Sequence, residues 1–439
     1  MGHSGPPIMR LQAALATDVG RIRSLNEDFG LVDAELGLHV VCDGMGGHAA
    51  GEIASRTAAS VVQQVVRARH STLAAIAGGT LPIDEAALLL REAVTAASHA
   101  IHEMGRADIS KKGMGTTLVA LLVCGTKGVM ANVGDSRLYL RRHDQIHQLS
   151  EDHTFLQEAV RAGMLTPEQA RQSEHTNIVT RAVGPLDRVV VDTLFFDLLE
   201  GDTLLLCSDG LHGYLGEDGE LSSWLGTNDV EQIPAQLVAV ANARGGADNI
   251  TALAVRVFRS LDARDRESGR SEQVTRTFAT LHHIELFSEF TLAELVKVAN
   301  VSRTLELGPE QVVVLEGEVS EGLFVVQTGR VEVSRGEQAI AWLGPGAHFG
   351  EMALLSQRPR SATVRTREAT RLLLIERPDL HELMRVEPVM AGKFLWKLAQ
   401  TLSLRLDDAY AVAPAPVSMS PRPTVPFGLH ASPFQPTHE

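Results

Sequence analysis

Short apolar and β-branched runs, separated by turns that contain Gly and Asp, fill the chain from Leu11 to Phe258 and predict β-strands. The predicted strands are His39–Cys42, Leu118–Cys124, Val129–Val133, Arg137–Leu140, Thr203–Cys207 and Ile250–Val257. From Ile83 to Met104 the apolar residues recur at helical spacing. The predicted buried face of this helix consists of Ala87, Leu88, Leu90, Ala93, Ala96 and Ile101. Many strands with few helices between them predict antiparallel sheets with helices packed outside, an α+β layered fold.

A second apolar pattern runs from Phe278 to about Leu406 and predicts a small β-barrel or β-roll with flanking helices. Its strand-like runs are "QVVVLEGE", "GLFVVQTG", "RVEVSRGEQAIAWL" and "TRLLLIE", with Gly turns between them. The preceding "FATLHHIELFSEFTLAELVKVAN" predicts two short amphipathic helices that break near Phe287 and Ser288. A closing helix is predicted from Val389 to Leu406. Its predicted apolar stripe consists of Ala391, Leu395, Leu398 and Leu402.

Shifts in composition divide the chain into five predicted segments. They are a flexible N-terminus (1–10), a first folded domain (11–258), a charged linker (259–275), a β-roll domain (276–410) and a Pro-rich disordered tail (411–439).

Composition and charge limit the classes of function. With 439 residues, of which 44% are hydrophobic, the chain is long enough for two or more domains. A net charge of −14 argues against nucleic acid or an anionic membrane as the main partner. Cys42, Cys124 and Cys207 lie in or beside apolar runs, which is typical of reduced core thiols in a cytoplasmic protein. No apolar run approaches the roughly 18 residues of a membrane span. The sequence does not set the oligomeric state.

Carboxylates stand where several predicted strands end. In "VCDGMGGHAAGE", the strand stops at Asp43-Gly44. Such a pair is either an ordinary tight turn or a site where the Asp43 carboxylate and the Gly44 carbonyl hold a hard cation. Four other strand ends carry the same chemistry, namely Glu27-Asp28, Asp135, Asp209 and Asp248. Five such junctions favour a converging site, and oxygen-only ligands suit Mg²⁺ or Mn²⁺ rather than zinc.

A family resemblance rests on a series of motifs between Leu11 and Phe258. The motifs are "RSLNED", "VCDGMGGHAAGE", "GMGTTLVAL", "NVGDSRLYL", "EDHTF", "NIVTRAVG", "LLLCSDGL" and "DNITALAV". In order and spacing this segment resembles the metal-dependent (type 2C, or PPM) serine/threonine protein phosphatases. The resemblance implies a sandwich of two antiparallel sheets flanked by helices. It also implies two Mg²⁺ or Mn²⁺ ions between the sheets and phosphoserine or phosphothreonine proteins as substrates.

The resemblance also implies a set of metal ligands. Asp43 would bridge both ions, and the Gly44 carbonyl would bind the second. Asp209 and Asp248 would bind the first ion. Two cations bridged by a carboxylate lower the pKa of a shared water, so that hydroxide becomes available near neutral pH. Asp43 and Asp209 are therefore expected to be catalytic as well as metal-binding.

Further residues receive roles by the same resemblance. Glu27 and Asp28 would hold metal-bound waters, and Asp135 would bind a third, weaker ion that Asp209 can share. Arg23 would grip the substrate phosphate, since guanidinium offers a planar and always-charged fork.

The chain departs from part of the family at the position after Asp-Gly. Some members carry a histidine there, thought to protonate the leaving oxygen, whereas this chain has Met45. His48 and a water molecule are the alternative proton donors. The stretch from Phe155 to Val189 matches the variable flap of the family and contains no recognisable target motif.

In the second domain, "FGEMALLSQRPRSATV" places Glu351 in a Gly-Glu pair and Arg360 nine residues later. A plain docking domain is the alternative interpretation of this region. The segment resembles the phosphate-binding cassette of cyclic-nucleotide-binding domains. By that resemblance Glu351 would hold the ribose 2′-hydroxyl and Arg360 the cyclic phosphate. The residues implied nearby are Gly350, Ala353, Ser361 and Ala362.

The sequence thus predicts a metal-dependent serine/threonine phosphatase that is regulated by a cyclic nucleotide. Cyclic AMP is favoured over cyclic GMP, although Ser361 after Arg360 is compatible with either base. One alternative keeps the phosphatase and makes the second domain a ligand-free docking module. Another is a catalytically dead scaffold with the phosphatase fold, against which the full acidic set argues.

Overall fold

The computed structural model describes residues 9–46, 50–166, 169–170, 173, 178–216, 218–227, 229–258, 264–319, 322–355 and 358–412. In the N-terminal part the strands are β1 (Arg10–Asp18), β2 (Asp28–Asp33), β3 (Leu38–Met45), β4 (Gly115–Thr116), β5 (Leu118–Cys124), β6 (Lys127–Val133), β7 (Arg137–Arg142), β8 (Gln145–Gln148), β9 (Asp192–Asp197), β10 (Thr203–Cys207) and β11 (Ile250–Phe258). The helices there are α1 (Ala50–Ala68), α2 (His70–Ala77), α3 (Asp84–Ala107), α4 (Phe155–Arg161), α5 (Asp209–His212), α6 (Asp218–Leu225) and α7 (Ile233–Ala243), with a 3₁₀ turn at Ile109–Lys111.

These strands form two antiparallel sheets that pack face to face. One sheet has the order β1-β11-β10-β7-β8, and the other has the order β2-β3-β5-β6-β9 with β4 paired to β3. Aliphatic side chains from both sheets fill the layer between them, among them Val41, Val119, Leu138, Leu206 and Leu253. Because β5 and β10 are buried on both faces, their sequences are continuous apolar runs rather than alternating ones.

Helices cover the outer faces of the two sheets. Helices α1 and α3 pack on the sheet that contains β3 and β5. Helix α7 packs on β1 and β11 of the other sheet. The predicted α+β layered fold is confirmed by this arrangement. Cys42, Cys124 and Cys207 are buried free thiols, as predicted.

The C-terminal part contains strands β12 (Ser302–Leu307), β13 (Val312–Val314), β14 (Gly322–Thr328), β15 (Val331–Arg335), β16 (Gln338–Leu343), β17 (His348–Phe349), β18 (Thr363–Thr366) and β19 (Thr370–Glu376). Its helices are α8 (Arg264–His283), α9 (Leu292–Asn300), α10 (Met352–Leu355), α11 (Arg377–Val386) and α12 (Pro388–Val412), with a 3₁₀ turn at Glu285–Phe287. Two antiparallel sheets, β12-β19-β14-β17 and β13-β18-β15-β16, form the predicted β-roll.

Helix α9 joins the two parts of the molecule. It begins with a capping box in which Thr291 and Glu294 satisfy each other's backbone N–H groups. Val296 belongs to the core of the N-terminal sandwich, whereas Leu295 and Val298 belong to the core of the C-terminal domain. The two cores therefore share one helix, and the domains contact each other directly.

Two details of the predicted helix faces are wrong. On α3, Leu88 is 46% exposed, while Leu89, Val94 and Ala97 are buried. On α12, Leu395 is 53% exposed and the neighbouring Phe394 is buried instead. In each case the apolar stripe is wide enough to fit two adjacent faces, and packing against the neighbouring sheet or helix selects one of them.

Phe394 of the C-terminal helix is not placed to cover a ligand in the β-roll. The Phe394 ring stacks on Phe287 with centroids 5.8 Å apart and lies in the core formed with Met390 and Leu398. It therefore cannot close over a ligand without leaving that core. Trp396 is 62% exposed. Among the helices that the structure describes, none is long and apolar enough to cross a membrane.

Candidate active site

The register between β2 and β3 places two of the predicted carboxylates opposite each other. Asp28, the first residue of β2, pairs directly with Asp43 near the end of β3. Both side chains lie at the end of the sandwich where β10 stops and α5 begins at Asp209. The carboxyl groups of Asp43 and Asp209 lie close enough to influence each other's ionisation. Asp135, in the turn after β6, raises the pKa of Asp43, and the charge of Asp209 adds to the burial that raises the pKa of Asp135.

Threonines from the next strands fix the backbone of Asp43. The Thr116 hydroxyl donates to the Asp43 carbonyl at 2.8 Å. The Asp43 N–H donates to the Thr117 hydroxyl at 3.0 Å, and the Thr117 N–H donates back to the Asp43 carbonyl at 2.8 Å. The strand end is therefore held rigidly on both backbone groups, which positions its carboxylate for binding.

Gly44 lies where only a glycine fits. Its N–H donates to the Glu27 carbonyl at 3.1 Å. A Cβ at this position would come 2.2 Å from the Gly51 carbonyl oxygen and 2.6 Å from that of Glu27. The glycine in "DG" is thus required by the close approach of α1 and of the segment before β2, and not by a turn alone.

The clustered carboxylates oppose one another's ionisation. Burial raises the pKa of Asp28 to about 7, despite a hydrogen bond from Ser208, and the nearby charges of Asp209 and Asp248 add to this. Burial and the charge of Asp209 likewise raise the pKa of Asp135 to about 7. The pKa of Asp43 is raised well above its ordinary value by burial and by Asp28. A positive charge bound among these carboxyl groups would favour their ionised forms.

Three buried carboxylate oxygens accept no hydrogen bond from the part of the chain that the structure describes. They are Glu27 Oε1, Asp28 Oδ1 and Asp209 Oδ1. Hard oxygens without hydrogen bonds, two of them on the carboxyls of Asp28 and Asp209 whose ionisation is suppressed, suit Mg²⁺ or Mn²⁺. The described His, Cys, Asp and Glu side chains do not form a preformed cage of three or more ligands. The residues therefore fit divalent cations chemically, and their side chains would have to adjust to bind them.

Arg23 and Asp248 lie at the rim of this cluster. Arg23 Nη2 donates to Asp248 Oδ2 at 2.8 Å. The Arg23 side chain is 51% exposed and that of Asp248 is 34% exposed. Arg23, predicted to grip phosphate, thus contacts a predicted metal ligand and remains accessible from solvent.

Supporting residues that sequence reasoning missed hold these carboxylates in place. The buried Ser208 hydroxyl donates to Asp28 Oδ2 at 2.7 Å and accepts the Thr251 N–H at 3.0 Å. The Asn249 side chain accepts the Glu27 N–H at 2.8 Å and donates to the carbonyls of Val19 and Leu25. Both residues stand beside a predicted ligand, in "CSDG" and "ADNIT", and that adjacency is the signal that could have found them.

Met45, which stands where some family members carry a histidine, is the last residue of β3. Met45 pairs with Gly115 of β4. His48 lies outside the described residues, so its proposed role stays a prediction. The predicted flap is described in part. It is tied to the sandwich by the antiparallel bridges of Thr154 with Val179 and of Thr116 with Val183.

A second candidate site lies in the β-roll. A cavity of about 560 Å³ is lined by all six predicted residues, namely Gly350, Glu351, Ala353, Arg360, Ser361 and Ala362. This volume suits a small-molecule ligand. Glu351 and Arg360 are 4% and 9% exposed. Two charged side chains buried in one cavity are typical of a binding site rather than of a plain structural core.

Hydrogen bonds set the position of Arg360 in this cavity. Its guanidinium donates to the Gly322 carbonyl at 2.9 Å and to the Gly350 carbonyl at 3.3 Å. It also lies 5.8 Å from the ring centroid of Phe324. Gly350 has φ +89°, and a Cβ there would come 2.5 Å from Arg360 Nη1. Gly350 is therefore needed both for the turn and for the room that Arg360 occupies.

Comparisons with known proteins agree with this geometry. The family described as protein phosphatase 2C matches residues 24–252, and the cyclic nucleotide-binding domain matches residues 304–387. A serine/threonine phosphatase, stp, of Listeria innocua is 36% identical over 249 residues, which are 56% of this chain and 95% of that protein.

Solved structures show the same likeness. The crystal structure of the serine/threonine phosphatase PstP/Ppp of Mycobacterium tuberculosis is similar with a TM-score of 0.51 and 31% identity, over 57% of this chain and all (100%) of that one. The serine/threonine phosphatase Stp1 of Staphylococcus aureus is similar with a TM-score of 0.50 and 34% identity, over 58% and 98%. The chain belongs to the protein phosphatase 2C family of serine/threonine phosphatases and carries a cyclic nucleotide-binding domain after its catalytic domain.

Proposed function

We propose that this protein is a metal-dependent serine/threonine phosphoprotein phosphatase whose activity is set by a cyclic nucleotide in the C-terminal cavity. The observation that carries the metal dependence is the group of buried carboxylates at one end of the sandwich. Burial and neighbouring charges suppress the ionisation of Asp28 and Asp135. One oxygen each of Glu27, Asp28 and Asp209 accepts no hydrogen bond from the described residues. Divalent cations would favour the ionised carboxylates and would also coordinate the oxygens that accept no hydrogen bond.

Each carboxylate has a proposed role. Asp43 would bridge two Mg²⁺ or Mn²⁺ ions, with the Gly44 carbonyl on one and Asp209 and Asp248 on the other. When bound, the ions lower the pKa of a shared water and neutralise charge on the phosphoryl oxygens. Asp135 is the proposed ligand of a third, weaker ion.

Glu27 and Asp28 would hold metal-bound waters from the outer side. Asp28 is suited to this role because Ser208 donates to Oδ2, while Oδ1 is buried and accepts no hydrogen bond from the described residues. Glu27 is suited because Asn249 anchors its backbone while Oε1 is buried beside the site.

Arg23 would bind the substrate phosphate. Its guanidinium pairs with Asp248 at an exposed position, where an ion pair contributes at most about 1 kcal/mol. A phosphate monoester offers two oxygens to the same planar fork and a larger negative charge. The pair can therefore open at little cost when substrate arrives, and Asp248 is then available to a cation.

The proposed effector would occupy the cavity of the β-roll. Arg360 would hold the cyclic phosphate, and Glu351 would accept a hydrogen bond from the ribose 2′-hydroxyl. Gly350, Ala353 and Ala362 complete the wall. We favour cyclic AMP over cyclic GMP as the physiological ligand, and Ser361 is the residue to examine for the choice of base.

Two measurements on the full chain test this proposal. Release of phosphate from a phosphothreonine peptide should require Mn²⁺ or Mg²⁺ and stop on addition of a chelator. Calorimetric titration should show binding of cyclic AMP, and weaker binding of cyclic GMP. A folded chain without metal-dependent turnover would leave the dead-scaffold alternative. Turnover without binding of either nucleotide at millimolar concentration would leave the docking-module alternative.

A further inference from the structure

The first residue of β9, Asp192, lies between the catalytic site and the C-terminal domain. Its Oδ2 accepts a hydrogen bond from His153 Nε2 at 3.0 Å, and its Oδ1 accepts one from Arg181 Nη1 at 3.0 Å. In the antiparallel register Asp192 pairs with Asn132 of β6. The chain runs from Asn132 through Gly134 directly to Asp135, so Asp192 is one strand away from a proposed metal ligand.

His153 connects Asp192 to that turn. The ring is buried, with 1% exposure. Its Nδ1 accepts the Gly134 N–H at 3.0 Å, and the His153 N–H donates to the Gly134 carbonyl at 2.9 Å. Because Nδ1 accepts, the ring proton belongs on Nε2, which donates to Asp192. The carboxylate of Asp192 therefore selects the tautomer that holds Gly134.

The turn that His153 holds has little conformational freedom. Gly134 has φ +102°, and a Cβ there would come 2.7 Å from the Thr117 side chain. Thr117 is also the residue that binds the Asp43 backbone. A shift of Gly134 would therefore move Asp135, and it would also displace Thr117, which hydrogen-bonds the Asp43 backbone.

On the other side, Asp192 faces the C-terminal domain. A cavity of about 510 Å³ between the domains is lined by Asp192 and Arg181 from the catalytic domain and by Lys297 and Glu387 from the C-terminal one. Lys297 Nζ pairs with Glu387 Oε1 at 2.5 Å. Glu387 directly precedes α12, and Lys297 belongs to α9, the helix shared by both cores.

Charge couples the two sides of this cavity. Burial opposes ionisation of Asp192. The hydrogen bond from His153, together with the charges of Arg181 and Lys297, nevertheless holds the pKa of its carboxyl below the ordinary value. The ionised Asp192 is thus stabilised in part by a cation that belongs to the C-terminal domain.

We propose that Lys297 and Asp192 are positioning residues through which the C-terminal domain holds the His153–Gly134 contact, and with it Asp135, in place. This inference rests on the proposed regulatory function and identifies the residues that would connect the C-terminal domain to the catalytic site. A rearrangement of the β-roll that moves α11 or α12 would shift Glu387 and draw the side chain of its ion-pair partner Lys297 away from Asp192. The Gly134 turn would then loosen, and the catalytic rate would fall without any change in Arg23, the proposed phosphate contact.

The opposite end of β9 supplies a matched control. Arg270 of α8 donates to Asp197 Oδ1 at 2.9 Å and to the Leu198 carbonyl. Asp197 is the last residue of β9, so it lies roughly 17 Å along the strand from Asp192. Arg270 and Lys297 are both cations of the domain interface, but only Lys297 lies beside the proposed route.

The test compares the full chain with Lys297→Met, Lys297→Arg, Asp192→Asn and Arg270→Met. Hydrogen–deuterium exchange is measured on the metal-free proteins for a peptide that covers residues 130–140. The peptide is expected to exchange severalfold faster in Lys297→Met and Asp192→Asn than in the wild type. Lys297→Arg and Arg270→Met should match the wild type. In Mn²⁺, Lys297→Met should lower kcat roughly 2–30-fold while KM for a phosphopeptide stays constant.

Two results would overturn the proposed route. One is Lys297→Met with wild-type exchange and wild-type kcat. The other is an equal effect of Arg270→Met, which would show general loosening of the interface. The regulatory function can fail separately: if a cyclic nucleotide binds the wild type yet changes neither the exchange of residues 130–140 nor the rate, the regulation is wrong. The comparison of the metal-free variants then still decides the role of Lys297.

Discussion

The two candidate sites differ in how their charges are balanced. At the end of the sandwich, Asp28, Asp43, Asp135 and Asp209 crowd together, and their mutual repulsion and burial raise their pKa values. In the β-roll, by contrast, the buried guanidinium of Arg360 is already held by backbone carbonyls. The carboxylates of the first site repel one another, whereas the charged group of the second is already hydrogen-bonded by the chain itself.

Because of this difference, we expect the two ligands to have different effects on the protein. Cations at the sandwich supply charge that the protein lacks there, so metal should change the stability as well as the rate. A cyclic phosphate in the β-roll would instead compete with the carbonyls of Gly322 and Gly350 for the same guanidinium. Its effect should be seen in the position of Arg360 and of the elements that this residue holds.

The largest expected effect follows from Asp209→Asn. The amide keeps the shape of the side chain but removes the charge that a divalent ion requires, so kcat should fall by more than the ~10–100-fold typical of losing an outer-shell partner. In metal-free buffer the variant should be at least as stable as the wild type, because one repelling charge is gone. Phosphate release and thermal unfolding measure the two quantities. A folded variant with near-normal Mn²⁺-dependent turnover would refute the metal role.

In the β-roll, Arg360→Ala should weaken cyclic nucleotide binding by about 2–5 kcal/mol, since it removes the charge partner of a buried phosphate. Arg360→Lys should recover little of this loss, because an ammonium group cannot replace the planar fork. Calorimetric titration of both variants checks the prediction. Arg358→Ala is the control, because this neighbouring arginine also lines the cavity and has no assigned role. Equal losses in Arg358→Ala and Arg360→Ala would contradict the assignment.

Much of the catalytic site can be predicted from the sequence because its acidic residues lie at the ends of apolar strands. A buried apolar run that stops at an acidic residue is visible locally, as at Asp43 and Asp209. The supports of these residues are not visible in the same way. Ser208 and Asp28 are 180 positions apart, and Asn249 and Glu27 are 222 apart. Only the folded sheets bring each pair within hydrogen-bond distance.

The carboxylates of the sandwich site should make the stability of the metal-free protein depend on pH. The folded-state pKa values of Asp28 and Asp135 are about 7, above the unfolded value of about 3.9. Between these values the folded state binds more protons. The stability of the metal-free protein should therefore fall as the pH rises from about 4 to about 7, by up to about 4 kcal/mol per group.

Unfolding by urea at pH 5, 6, 7 and 8 measures this dependence. Mn²⁺ at pH 8 should restore the lost stability, and Asp28→Asn should flatten the metal-free curve. A metal-free stability that rises between pH 5 and pH 8 would contradict the assigned repulsion.

A smaller effect is expected from Gly44→Ala. The added methyl group would meet the Gly51 and Glu27 carbonyls at 2.2 and 2.6 Å, so the variant should lose about 1–3 kcal/mol of stability together with metal-dependent turnover. Gly219→Ala in α6 is the matched control, because a Cβ there meets nothing within 4 Å. The control should be neutral or slightly stabilising. An equally stable and active Gly44→Ala would show that the close approach is not required.

In the C-terminal domain, the hydrophobic periodicity predicts where strands and helices form better than it predicts which face of a helix is buried. The strands and the Glu351–Arg360 spacing follow from local sequence, and both residues line the cavity as expected. On α12, Leu398 is buried as predicted, but Phe394 lies in the core in place of Leu395, because the helix packs against the 3₁₀ turn at Glu285–Phe287. The sharing of α9 between two cores was not predictable, since it depends on Val296 meeting a sheet formed by distant strands.

The central claim is that a nucleotide in the β-roll controls the chemistry at the sandwich. The most direct measurement is the initial rate of phosphopeptide dephosphorylation by the Mn²⁺-loaded full chain during a titration with cyclic AMP. The wild type and Arg360→Ala are compared under the same conditions. A coupling of about 1–3 kcal/mol predicts a change of roughly 5–150-fold in the wild type and none in Arg360→Ala. A wild-type rate that stays constant while calorimetry shows the cavity to be filled would contradict the claim.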